Sequence, residues 1–245
     1  PVSGLAAGSF TFTARATDNE GAASTSAGVA VVVNALPVIA LTAPADGAVI
    51  AAGGNVTLKA NASDSDGTIA RGEFFNGATT LGEATTAPYE FIWTSVAAGT
   101  HALTARATDN RGALTTSAAV TLTADVPPAV ALTAPANNSV FDTPATIVIT
   151  ANASDSDGTV AKVEFFAGAT KLGESAGAAF QFTWANVAAG SYLLTARATD
   201  NLGLATTSSP VAITVNVPPV VTVTGPADHA VFTAPATLTL TADAT

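Results

Sequence analysis

Ala60-Asn61-Ala62-Ser63-Asp64-Ser65-Asp66-Gly67-Thr68 returns letter for letter at 151–159, and this stretch sets the organisation of the whole chain. The offset of 91 residues is kept by Pro37, Pro128 and Pro219, by Gly8, Gly99 and Gly190, by Asp18, Asp109 and Asp200, and by Trp93 and Trp184. No insertion or deletion is needed. A fixed period means one folding unit copied in tandem. The chain therefore divides into the C-terminal part of a repeat (1–36), two complete repeats (37–127 and 128–218) and the N-terminal part of another (219–245). A unit of 91 residues can bury one modest core and not two.

Outward from this stretch, the periodicity is that of strands. Val56, Leu58, Ala60 and Ala62 alternate with Thr57, Lys59 and Asn61, which predicts a half-buried strand running into the acidic loop at 63–67. Beyond the loop, Gly72 and Phe74 share a face, as Val163 and Phe165 do one period later. The turn Asn76-Gly77 leads to a short segment around Leu81, and then to Tyr89, Phe91 and Trp93 on alternate positions. After the corner Ala97-Ala98-Gly99, residues Leu103, Ala105 and Ala107 face inward. The hairpin turn Asp109-Asn110-Arg111-Gly112 then gives way to a last strand over 113–124. Upstream, the apolar run 37–42 is closed by the turn cluster Ala43-Pro44-Ala45-Asp46-Gly47. No segment has a helical period. About seven short strands per repeat predict an all-β chain of tandem antiparallel two-sheet sandwiches.

Composition narrows the function classes. Cysteine is absent, so neither disulfides nor Cys-ligated metals brace the repeats. The net charge is −10, and the 8 basic residues are scattered, which argues against nucleic acid and anionic membranes as partners. No apolar stretch approaches the roughly 18 residues of a membrane span. The partial repeats at both ends are expected to make the chain a window on a longer polypeptide, ordered within an assembly of copies.

PPAVALTAPANNSVF (127–141), ITANASDSDGTVAKVEFFAG (149–168), FQFTWANVAAG (180–190) and LLTARATDNLG (193–203) resemble the tandem bacterial immunoglobulin-like domains of secreted and surface proteins. The resemblance implies immunoglobulin-like sandwiches at the cell surface or outside the cell, serving as stalks, adhesin shafts or fibres. The same domains also serve as accessory or carbohydrate-binding modules of secreted polysaccharide-degrading enzymes. Implied partners are neighbouring repeats or further copies of the chain, with surface glycans or host ligands engaged through other domains.

Between repeats the chain has almost no linker. Val126-Pro127-Pro128 and Val217-Pro218-Pro219 join one repeat's last strand to the next repeat's first. Paired prolines fix φ and remove two donors, which predicts stiff joints and a rod.

The acidic loops are the foremost candidates for chemistry. In such a sandwich the loop after the second strand and the loop between the last two lie at one end. Asp64 and Asp66 are therefore expected near Asp109, and Asp155 and Asp157 near Asp200. Three carboxylates beside carbonyl oxygens could hold Ca²⁺, which takes six to eight oxygens. The competing reading is turn chemistry, in which Asp, Ser and Asn cap their own backbone.

Cross-strand pairs Glu73–Arg106 and Glu164–Arg197 are expected on the solvated face. Phe75 and Phe166 are expected on an outer sheet face, and Trp93 and Trp184 in the core. His101 and His229 do not recur at the period, which argues against a His metal site. Serines are plentiful, but no recurring His or reactive Cys accompanies them to form a nucleophile–base pair. The expected role is therefore mechanical and non-catalytic.

Overall fold

The computed structural model describes residues 1–177 and 179–245 and falls into two compact units, Pro1–Val126 and Pro127–Thr245. The first unit opens with the partial repeat, whose strands are β1 (Gly8–Phe12), β2 (Arg15–Thr17), β3 (Ala23–Thr25) and β4 (Val29–Val33). The complete repeat then runs β5 (Val38–Ala43), β6 (Ala48–Ala51), β7 (Val56–Ser63), β8 (Ile69–Asn76) and β9 (Thr79–Ala84). It ends with β10 (Tyr89–Trp93), β11 (Gly99–Asp109), β12 (Leu114–Thr116) and β13 (Val120–Asp125).

One sheet of this repeat has the order β10-β7-β5, and the other β6-β13-β11-β8-β9 with β12 also on β11. The alternation seen in the sequence places Leu58, Phe74, Leu103, Ala105, Ala107 and Leu122 between the sheets, where each is fully buried. Across that space Phe74 stacks on Phe91 with ring centroids 6.3 Å apart. Small residues on the long strand β11 leave room for the large ones facing them.

The second unit repeats the architecture. Its strands are β14 (Ala129–Ala134), β15 (Ser139–Asp142), β16 (Ala145–Ser154), β17 (Val160–Ala167) and β18 (Thr170–Ser175). They continue with β19 (Phe180–Val187), β20 (Gly190–Asp200), β21 (Ala205–Thr207) and β22 (Val211–Asn216). The sheets are β14-β16-β19 and β15-β22-β20-β17-β18, with β21 on β20. Its own core is built on Ile147, Ile149, Val163, Phe165, Leu194 and Ile213. The trailing partial repeat pairs β23 (Val221–Gly225) with β24 (Thr241–Ala244). Its apolar side chains lie open, Val223 being 69% exposed.

Two details depart from the sequence reading. The last strand expected over 113–124 is broken into β12 and β13, because Ser117 turns inward between them. Its Oγ accepts a hydrogen bond from the Ala105 amide at 3.0 Å and donates to the Ala118 carbonyl at 2.8 Å. Ser26 and Ser208 do the same in their repeats. The second departure is β6, four residues too short to show a period. It runs parallel to β13, with Ala48 opposite Leu122 and Ala51 opposite Asp125, an exception in an otherwise antiparallel sandwich.

The tryptophans pack against the cores as expected. Trp93 meets the ring of His101 edge-on at 4.9 Å, and Trp184 meets Tyr192 in the same way. The two partners occupy one position of the repeat, and both make the bond that holds the ring. Tyr192 Oη donates to the Ala188 carbonyl at 2.9 Å, and His101 Nε2 donates to the Ala97 carbonyl at 2.9 Å. This requires the Nε2–H tautomer, whose Nδ1 accepts from Asn76 Nδ2 at 3.0 Å. His101 is thus a packing residue at the rim, while the His229 side chain is 94% exposed.

The ion pairs need correction. Arg106 donates from both Nε and Nη2 to Glu73 Oε2, at 3.1 and 3.0 Å, and its guanidinium lies over the Phe75 ring. Glu73 is nevertheless buried rather than solvated, at 7% exposure. In the other repeat Glu164 faces Arg197 in register but bonds Lys171 Nζ at 2.6 Å and Lys162 Nζ at 3.2 Å. Lys171 stands where the first repeat has Thr80, on the neighbouring strand, and reaches the carboxylate first. Its hydrogen bond holds the Glu164 carboxyl below the ordinary value, and the same bond raises the Lys171 amine.

Candidate functional site

The acidic loops assemble at one end of each sandwich, and the hairpin aspartate is their foundation. Asp109 Oδ1 accepts from the amides of Arg111 at 2.8 Å and Ala113 at 2.9 Å, closing the turn between β11 and β12. Asp18 holds Glu20 and Ala22 in this way, and Asp200 holds Leu202 and Leu204. Three copies of one Asx-type cap account for the recurrence of this aspartate at the period.

The next residue clamps the other loop. Asn110 Oδ1 accepts from the Thr68 amide at 3.0 Å while the Asn110 amide donates to the Thr68 carbonyl at 2.9 Å. Asn201 and Thr159 repeat the clamp. Asp64 Oδ1 caps the Asp66 amide at 3.4 Å, and Asp155 caps Asp157 likewise. Gly67 must be glycine, because a Cβ there would overlap the Asn110 side chain and the Asp64 carboxylate. The Asn110 and Asn201 clamps thus hold the loop of Asp64 and Asp66 beside the Asp109 turn, and the loop of Asp155 and Asp157 beside the Asp200 turn.

In the first unit this end is occupied. The residues that lead in from the partial repeat lie across it: the Ala35 amide donates to Asp66 Oδ1 at 3.2 Å, and Asn34 Nδ2 donates to Asp109 Oδ2 at 2.6 Å. Arg111 Nη1 completes the arrangement, donating to Asn34 Oδ1 at 2.9 Å, Asp66 O at 2.9 Å and Asp66 Oδ2 at 2.8 Å. Burial works against the Asp109 charge. The bonds from Asn34 and from the Ala113, Arg111 and Gly112 amides outweigh it and hold the carboxyl below its ordinary value.

A guanidinium therefore supplies to Asp66 the positive charge for which a calcium ion was the candidate. Among the described residues no three acidic or imidazole side chains converge in a metal-holding group. In the second unit Leu202 stands at the position of Arg111; Asp155 Oδ2 and Asp200 Oδ2 there, like Asp64 Oδ2 in the first unit, are buried without a hydrogen-bond partner.

Sequence reasoning missed Asn34, Arg111, Asn110 and the serines Ser26, Ser117 and Ser208. The serines and Asn110 recur at the period and could have been found there. Arg111 aligns with Glu20 and Leu202, so the rule that exposed the other residues conceals this one.

The family described as Bacterial Ig domain matches residues 37–105 and 128–196. Among solved structures, the fibronectin(III)-like modules of Clostridium thermocellum CbhA share 30% identity, covering 74% of this chain and 94% of theirs, with a TM-score of 0.49. Titin domains I67–I69 share 12% identity over 86% of this chain and 75% of that one, with a TM-score of 0.43. Extracellular domains 3–5 of Drosophila OTK share 14% identity over 86% and 72%, with a TM-score of 0.47. No curated protein matches the chain.

Proposed function

Since the chain belongs to the bacterial Ig domain family, we propose that it is a non-catalytic spacer of an extracellular or cell-surface protein, a stiff segment of a stalk, adhesin shaft or fibre. The observation that supports this most directly is the pair of self-contained cores. Leu58, Phe74, Leu103 and Leu122 close one core, and Ile149, Phe165, Leu194 and Ile213 close the other at the same positions of the repeat. A chain built of closed units gains length with each unit added and does not depend on its neighbours to fold.

The spacing is set by the proline-containing joints, and the smooth, weakly charged surface leaves ligand recognition to other domains. Small-angle scattering on this chain and on a variant lacking residues 37–127 tests the reading. The expected outcome is a loss of about 35–40 Å in maximum dimension, one strand length plus its turns, with the melting transition of repeat 128–218 unchanged. An unchanged dimension, or loss of cooperative melting in the remaining repeat, would refute it.

A further inference from the structure

The end of repeat 37–127 is a socket with a chemically specific occupant. Asn34 precedes the repeat by three residues, and its carboxamide is used in both directions at once. The NH₂ group donates to Asp109 Oδ2, and the carbonyl oxygen accepts from Arg111 Nη1. Among the short side chains only an amide supplies a donor and an acceptor at this reach. An aspartate would set a second carboxylate against Asp109, and an alanine would leave a 2% exposed Asp109 without that donor. Arg111 joins the two halves of the socket, since the same Nη1 atom holds Asn34 and both acceptor groups of Asp66. Asp66 in turn fixes the backbone of the incoming segment through the Ala35 amide.

We propose that Asn34, Asp109, Arg111 and Asp66 form an interdomain lock, in which the loop end of one repeat recognises the exit segment of the repeat before it and sets the stiffness of the joint. The lock rests on the spacer reading, and it assigns to particular side chains the stiffness of a joint that carries the single Pro37 where the other two joints have paired prolines. It also makes adjacency selective. The socket carrying Arg111 follows the exit segment carrying Asn34, whereas the socket carrying Leu202 follows one carrying Asp125.

The chemistry allows an exchange. In Asp109→Asn, Oδ1 can still cap the hairpin while the new NH₂ group faces residue 34. The double variant Asn34→Asp with Asp109→Asn thus reverses the donor and acceptor and keeps Arg111 opposite a carboxylate.

Because the chain has no cysteine, Thr25→Cys and Thr80→Cys place two spin labels on exposed strand positions of the partial repeat and of repeat 37–127. Double electron–electron resonance on the full chain then reads the width of the distance distribution, and amide exchange of Ala35 reads the lock itself. Asn34→Asp is expected to widen the distribution about twofold and to speed Ala35 exchange about tenfold or more, the scale of losing a charge-assisted hydrogen bond. Adding Asp109→Asn is expected to restore both, and exchange of the buried Leu103 amide should stay constant throughout. A narrow distribution that Asn34→Asp leaves narrow would overturn the lock and spare the spacer. Failure of the double variant to restore either reading would also overturn the lock. A wide distribution in the parent chain would overturn both.

Discussion

The ring of Phe91 lies against Gly82, and Phe182 lies against Gly173 in the same way, so closely that a Cβ would come within 2.2 Å of a ring carbon at Gly82 and 2.3 Å at Gly173. The edge strand of one sheet approaches the aromatic strand of the other at this point, and only a bare backbone fits. Neither glycine has the positive φ that would give it a conformational reason to be there. Gly82→Ala and Gly173→Ala are accordingly expected to cost about 1–3 kcal/mol each, as overpacking does. Urea unfolding should register each loss in the repeat that carries the substitution and leave the other repeat's transition in place.

Ser208 is 8% exposed and satisfies the Ala196 amide, which the break between β21 and β22 would otherwise orphan. Ser208→Ala should cost about 1–3 kcal/mol, the penalty for an unsatisfied buried donor. Exchange of the Ala196 amide would rise with it. Ser208→Thr, which keeps the hydroxyl, should recover most of the loss.

Acid and alkali should both weaken the second repeat through the same cluster. The Glu164 carboxyl is held below 4.5 by Lys171, so its contribution is complete above 4.5 and vanishes as pH falls through its folded value. The Lys171 amine is raised above 10.5 by Glu164 and Glu174, so its contribution is complete below 10.5 and vanishes as pH climbs through its folded value. Stability against urea should form a plateau between these limits. Lys171→Thr, the residue of the first repeat at this position, should lower the plateau and soften both flanks.

Calcium should leave the first repeat unmoved. Arg111 already pairs with Asp66 at 2.8 Å, and Asn34 already serves Asp109. Calorimetric melts in calcium and in chelator are expected to agree within about 1 °C for repeat 37–127, since an ion that gains no free site adds no binding free energy to the folded state. A midpoint raised by calcium would show that the ion displaces the guanidinium.

What could be read from the sequence follows from what the period displays. Leu58, Phe74, Trp93 and Leu103 announce their strands by alternation, and Asp109 announces its turn as one of three aspartates spaced by the period. The break at Ser117 is hidden because the residues around it keep alternating, and β6 is hidden because four residues carry no period. Arg111 and Lys171 are a different case. Each is unique to its repeat and owes its role to partners on other elements, Asp66 and Asn34 for one, Glu164 on the neighbouring strand for the other. A reading that looks for repeated residues finds the sandwich and passes over the contacts that make one repeat unlike the next.

The parallel pairing of β6 with β13 bears on how a repeat carries load. One strand lies near the point where the chain enters the repeat and the other at the point where it leaves, and both run in the same direction. Tension drawn through the two ends therefore slides them along each other instead of peeling them apart. The bonds between Ala48–Ala51 and Leu122–Asp125 are strained together, and none can fail before its neighbours share the pull. Under the spacer role proposed above, a segment only four residues long would meet a pull through the two ends of its repeat in shear along its whole pairing.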